Sequence, residues 1–199
     1  GFEAIFSHYH ILDLIAHMII KFFKTGRSCT GQEYQQILDD AYIVTDKYFG
    51  GFLHLLDKGW TVVLVSDHGL VCPEEEPPLF GDFGGVNVGL MRDLGYTVLC
   101  KDENGEDIRE IDWTQTKAVA CRANHIYLNL KGREAQGIVE PAERYELEEQ
   151  IITDLYSYKH PATGKRCISL ALRNKDAVLV GMSGDLSGDI IAFVAEGYN

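Results

Sequence analysis

Thr61-Val62-Val63-Leu64-Val65-Ser66-Asp67-His68-Gly69-Leu70 is the stretch that decides how this chain reads. Apolar and β-branched residues fill positions 61–65, then give way at once to Ser-Asp-His-Gly. A short apolar run without alternation is what a central strand covered on both faces requires. The expectation is a buried strand over 61–65 with Asp67 and His68 at its carboxyl end. In open α/β sheets that end is where ligands bind. Neighbouring residues on a regular strand face opposite ways. Asp67 and His68 can therefore meet at one ion only where the backbone turns, and Gly69 is the residue expected to permit the turn. A carboxylate oxygen with an imidazole nitrogen suits zinc, manganese or iron better than calcium. The plainer alternative is an ordinary strand exit with solvated polar residues.

Upstream, 33–58 is a long helical pattern. Tyr34, Ile37, Leu38, Tyr42, Ile43, Tyr48, Phe49, Phe52, Leu53 and Leu56 form its apolar stripe. Gly50-Gly51 marks a place for a kink, and Gly59 fits the position past the helix end. Helix followed by strand is half of a parallel crossover unit. The expected class is α/β, a mostly parallel sheet flanked by helices.

Earlier still, 3–9 reads as a strand and 13–24 as a helix carrying Leu14, Ile15, Met18, Ile19, Phe22 and Phe23. Asp13 and His17 are four apart and share a helix face, which makes them a sensible two-ligand clip. The alternatives are Asp13 as a helix cap and His17 as a core histidine. His8 and His10 would share one strand face; they border the site, and packing or surface roles are the first reading for them.

Downstream, 71–85 contains Cys-Pro-Glu-Glu-Glu-Pro-Pro and Gly-Asp-Phe-Gly-Gly, an irregular loop placed to serve as a lid or binding loop. A short helix over 86–94 ends at Gly95. A strand pair, 96–100 and 110–113, flanks a turn at 102–105. Strands follow at 117–122 and 125–130, with a turn at 129–133. Next come a helix at 140–157 with Pro141 in its first turn, a strand at 167–173 and a short connection at 174–179. A buried strand at 189–194 comes last.

The 199 residues suffice for one good-sized core or a large part of a bigger domain. A net charge of −12 argues against a polymeric nucleic acid as partner, because such binding rests on Lys and Arg. A small phosphoester substrate held through a metal is compatible with it. No apolar run reaches the roughly 18 residues of a membrane span, and the first residues lack the pattern of a signal peptide. Cys29, Cys72, Cys100, Cys121 and Cys167 are odd in number and widely spaced, as expected of reduced thiols in a cytoplasmic protein.

Asp13-x-x-x-His17, a long helix, and a strand ending Ser66-Asp67-His68-Gly69 together resemble the alkaline phosphatase superfamily, in its type I phosphodiesterase/nucleotide pyrophosphatase branch. Ile126-Tyr127-Leu128-Asn129-Leu130-Lys131-Gly132-Arg133, Gly137-Ile138-Val139-Glu140-Pro141 and Gly188-Asp189-Ile190-Ile191 carry the same resemblance. It implies a site for two divalent ions, zinc first and manganese second. Asp13 and His17 would hold one ion, Asp67 and His68 the other. The implied activity is two-metal hydrolysis of phosphodiester or pyrophosphate bonds in nucleotides or similar small molecules.

The family pattern also calls for a further metal-binding Asp and a nucleophilic Thr or Ser, expected upstream of Gly1, and for a third histidine ligand beyond Asn199. Residues 1–199 are thus expected to be one α/β domain, the second half of a catalytic domain, weak or inactive alone. An exposed sheet edge would let such a chain pair with itself. A metal-dependent phosphosugar mutase of the same superfamily and a degenerate non-catalytic module are the competing expectations. The segment 126–141 counts against the mutase.

Overall fold

The structure is a computed structural model and describes residues 3–25, 31–70, 89–121 and 124–198. The chain divides into two units, Gly1–Glu75 and Glu76–Asn199.

In the first unit, helix α1 (Ile11–Thr25) packs along helix α2 (Gly31–Gly50). The carbonyl of His10 accepts the Leu14 N–H at 3.1 Å, so His10 is the residue that caps α1. Ile19, Tyr34, Ala41 and Thr45 are buried in this unit. The Tyr9 ring stacks on Tyr48 at 4.4 Å, and Phe49 meets Tyr9 edge-on at 6.0 Å. These rings hold the entry to α1 against α2. Gly50-Gly51 ends α2 rather than kinking it. A 3-10 turn, Leu53–Lys58, follows and closes at Gly59, whose φ of 80° suits glycine.

Two expectations fail here. Residues 3–9 form no strand, and neither do 61–65. Val63 and Val65 are 75% and 82% exposed rather than buried. A strand exists through its ladder of backbone hydrogen bonds, and the described elements of this unit are helical, so among the described residues nothing pairs with either segment. The irregular loop expected at 71–85 lies outside the described residues.

In the second unit a short helix, α3 (Gly89–Asp93), ends at Gly95, as the sequence suggests. Strands β1 (Leu99–Lys101) and β2 (Asp107–Ile111) form an antiparallel ribbon around the turn at 102–105. The Asp102 carboxylate accepts the N–H groups of Asn104 and Glu106 and shapes that turn; these bonds hold its pKa below the ordinary range. Strands β3 (Ala118–Cys121), β4 (His125–Leu128), β5 (Ile168–Arg173) and β6 (Ile190–Val194) form a second sheet in the order β3-β4-β6-β5.

Every neighbouring pair in both sheets is antiparallel. The protein is therefore mixed helix and sheet, and the mostly parallel sheet is corrected. The reason is topological. Helix α4 (Arg144–Ser157) does connect two strands that run the same way, β4 and β5. They are not adjacent, because β6 returns between them and pairs antiparallel with each. Helix-and-strand alternation in the sequence reveals the crossover but not the strand inserted into it.

This sheet carries the main core. Ile151 and Leu155 of α4 pack with Ile126, Leu128, Ala171, Ile190 and Ala192, joined by Leu90 and Met91 of α3. The late segments that carried the family resemblance meet here as strands β4 and β6. Asp189 is buried; it accepts the Leu128 N–H at 2.7 Å and both terminal nitrogens of Arg133 at 2.7 Å. Arg144 adds a third cationic contact at 3.1 Å. A Cβ on Gly188 would stand 2.7 Å from the Ile126 carbonyl oxygen, so only glycine lets these backbones approach. Cys100, Cys121 and Cys167 are free thiols. Among the described residues, no helix is long and apolar enough to cross a membrane.

Candidate metal centre

All four residues singled out in the sequence, Asp13, His17, Asp67 and His68, lie in the first unit, and the fold draws them together. Helix α1 places Asp13 in its first turn and His17 one turn later. His17 Nε2 lies 3.3 Å from Asp13 Oδ1. His68 Nε2 lies 3.9 Å from the same oxygen and 3.7 Å from Asp67 Oδ2. His17 is no core histidine, since its side chain is 62% exposed. Asp13 is not the helix cap, which falls to His10.

Asp67 and His68 converge because the backbone bends at Asp67, as the sequence reading requires. The means differ from expectation. The Ser66 hydroxyl donates to the His68 carbonyl at 2.7 Å and spans the bend. Gly69 has an ordinary φ, and a Cβ there would meet open space, so its special freedom is not used.

His68 Nδ1–H donates to the Gly69 carbonyl at 2.9 Å. With that proton placed, Nε2 keeps its lone pair for a ligand, the usual arrangement of a metal-binding imidazole. The same carbonyl bond is the main cause that raises the His68 pKa above the ordinary histidine value; the charges of Asp67 and Asp13 add to it.

His10, read from the sequence as a neighbour of the site with a packing or surface role first, contacts Asp13 directly. Its Nε2 stands 2.9 Å from Asp13 Oδ2, and its ring stacks on that of His8 at 5.2 Å. Three imidazoles thus surround one carboxylate. The signal was present: His10 precedes Asp13 by three, a helical neighbour spacing. The sequence reading instead sets His10 on one strand face with His8.

Asp13 itself tests whether this set fits a metal ion. Its Oδ1 is buried and, among the described residues, has no hydrogen-bond partner. A carboxylate oxygen withdrawn from water and left unbonded costs free energy that a cation would recover. The surrounding donors are imidazole nitrogens and carboxylate oxygens, which suit zinc and its neighbours. Among the described residues no group of three or more His, Cys, Asp or Glu is placed to hold a metal ion. The donor types suit such an ion, in pairs rather than as a set of three.

A cavity of about 540 Å3 lies elsewhere, in the second unit, lined in part by Trp113, Val119, Tyr127 and Asn129. None of the candidate ligands lines it. The Asn129 amide is committed to the carbonyls of Trp113, Thr116 and Gln136, so its role there is structural. Comparison of the chain with protein-family models, with curated proteins and with solved structures gave no match. The family resemblance therefore rests on the residues quoted for it.

Proposed function

We propose that the first unit carries part of a metal-dependent phosphoesterase site of the phosphodiesterase/nucleotide pyrophosphatase kind. The observation that carries this reading is the gathering of His10, His17 and His68 Nε2 around the Asp13 carboxylate, each within 4 Å. A second carboxylate, Asp67, stands next to His68 and is 89% exposed, free to take an ion or a substrate from solvent.

In this reading Asp13 and His17 hold one ion, and Asp67 and His68 the other, with zinc first and manganese second. Bound ions would neutralise the phosphate oxygens and polarise the phosphorus–oxygen bond to be broken. The chain's own residues supply the rest. Asp13, in the first turn of α1, fixes the position of positive charge. The Gly69 carbonyl orients His68, and the Ser66 hydroxyl holds the bend that presents Asp67. The nucleophile is assigned to no residue of this chain. The substrate is a small phosphodiester or pyrophosphate, in keeping with a net charge of −12 that disfavours long polyanions.

The test is hydrolysis of bis(p-nitrophenyl) phosphate with added zinc or manganese, set against p-nitrophenyl phosphate and a sugar monophosphate. The reading expects a slow, metal-dependent diester hydrolysis that disappears in Asp13→Asn. A rate that survives chelation or that substitution contradicts it, and isomerisation of the sugar phosphate favours the mutase.

A further inference from the structure

We infer that the cavity of the second unit is a binding site for a small planar aromatic amine. This inference does not rest on the metal-dependent reading above; it concerns other residues, in the other unit.

The first ground is the lining. In the ladder of β3 with β4, Val119 pairs with Tyr127 and Cys121 with His125. Side chains alternate along a strand, and Ala118, Ala120, Ile126 and Leu128 belong to the main core. Val119, Cys121 and Tyr127 therefore stand on the opposite face of the sheet, where they line the cavity together with Trp113. Its volume of about 540 Å3 falls within the range of small-molecule sites, roughly 300–1,000 Å3. Two aromatic side chains and a valine make a lining that favours a flat apolar ring.

The second ground is that the lining is held in place by the fold. Asn129 is 3% exposed, and its amide donates to the carbonyls of Trp113 and Gln136, each at 3.1 Å. One buried side chain thus ties the segment of Trp113 to the loop 134–136. The Asp112 carboxylate accepts the Thr114 N–H at 3.0 Å and fixes the turn that carries Trp113. The loop is closed by the Glu134 N–H on the Leu130 carbonyl at 2.9 Å and the Gly137 N–H on the Glu134 carbonyl at 3.1 Å. A site held this way loses little ordering entropy on binding.

The third ground is charge. Among the described lining residues Glu134 is the one carboxylate, and none is a lysine or arginine. The neighbouring Arg133 is committed to acids: its Nε donates to Glu134 and both terminal nitrogens to Asp189. The Glu134 side chain is 42% exposed, so an ammonium group can reach it from solvent. The net charge of −12 draws a cation and repels an anion, and the faces of Trp113 and Tyr127 attract a cation as well.

The test is a titration of the nitrogen-15-labelled full chain with tryptamine, set against 3-indolepropionate, which carries the same ring on an anionic tail. The indole N–H resonance of Trp113 is the readout, assigned through Trp60→Phe. The expected result is a saturable shift of that resonance, with tryptamine bound about threefold or more tighter than 3-indolepropionate, the scale of an exposed ion pair. Glu134→Gln is expected to remove the preference. Ala135→Phe, an exposed lining position, is expected to abolish the saturable shift while the rest of the spectrum shows the fold retained. A Trp113 resonance that does not move, equal affinities for the two compounds in the wild type, or wild-type binding in Ala135→Phe overturns the inference and leaves the metal-dependent reading untouched.

Discussion

The two units treat the same kind of apolar sequence in opposite ways. In the second unit Ile126, Leu128, Ile151, Leu155, Ile190 and Ala192 are fully buried between a helix and a four-stranded sheet. In the first unit Leu14, Met18, Ile37, Ile43 and Val62 to Val65 remain exposed, while among the described residues Ile19, Tyr34 and Ala41 are buried. Apolar periodicity records which side of an element seeks cover. It does not record what supplies the cover. Where the partner strand arrives, as β6 does between β4 and β5, the pattern becomes a core. Where the described elements are helical, the run 61–65 forms no strand and stays exposed. The open unit carries Asp13, His17, Asp67 and His68, whose side chains range from partly to largely exposed.

The sharpest way to break this contrast is to remove core volume. Leu128→Ala is expected to cost about 2–5 kcal/mol, the range for emptying a fully buried leucine site. Urea denaturation followed through the second unit measures it, and a cost under about 1 kcal/mol would mean that the core is looser than described. A smaller loss is expected for Gly137→Ala, whose Cβ would fall 2.1 Å from the Leu130 carbonyl oxygen. The backbone must shift, at about 1–3 kcal/mol. Asp189→Asn belongs to the same range, about 1–3 kcal/mol, because it weakens the anchor of Arg133 and leaves buried polar groups poorly paired. At the other end, Val65→Ser in the first unit should change stability by no more than about 0.5 kcal/mol, since the side chain is already in water. A loss like that of Leu128→Ala would show that 61–65 is covered after all and erase the contrast.

What could be read in advance follows the same division. The second unit was legible because its signals are local and punctuated. Gly95, Gly105 and Gly132 fall at turns with positive φ, Pro141 opens the approach to α4, and β3 and β4 are neighbours in sequence and in space. The antiparallel sheet was not legible, because the return of β6 between β4 and β5 is a long-range pairing that no periodicity encodes. In the first unit both helices were legible, and the apolar run 61–65 was misread, because a strand is defined by a partner absent from its own sequence. Asp-x-x-x-His and Asp-His-Gly point to Asp13, His17, Asp67 and His68, and the structure brings these four near one another. The contact of His10 with Asp13 does not follow from a strand face shared with His8, because the helix beginning at Ile11 sets His10 three residues before Asp13.

The central claim is that Asp13 organises a metal centre in the open unit. Elemental analysis of the purified chain after zinc loading and desalting, for the wild type and Asp13→Asn, tests it most directly. The account predicts bound zinc in the wild type and its loss in Asp13→Asn, with the melting of the second unit unchanged. Zinc retained equally by both proteins, or absent from both, would contradict it.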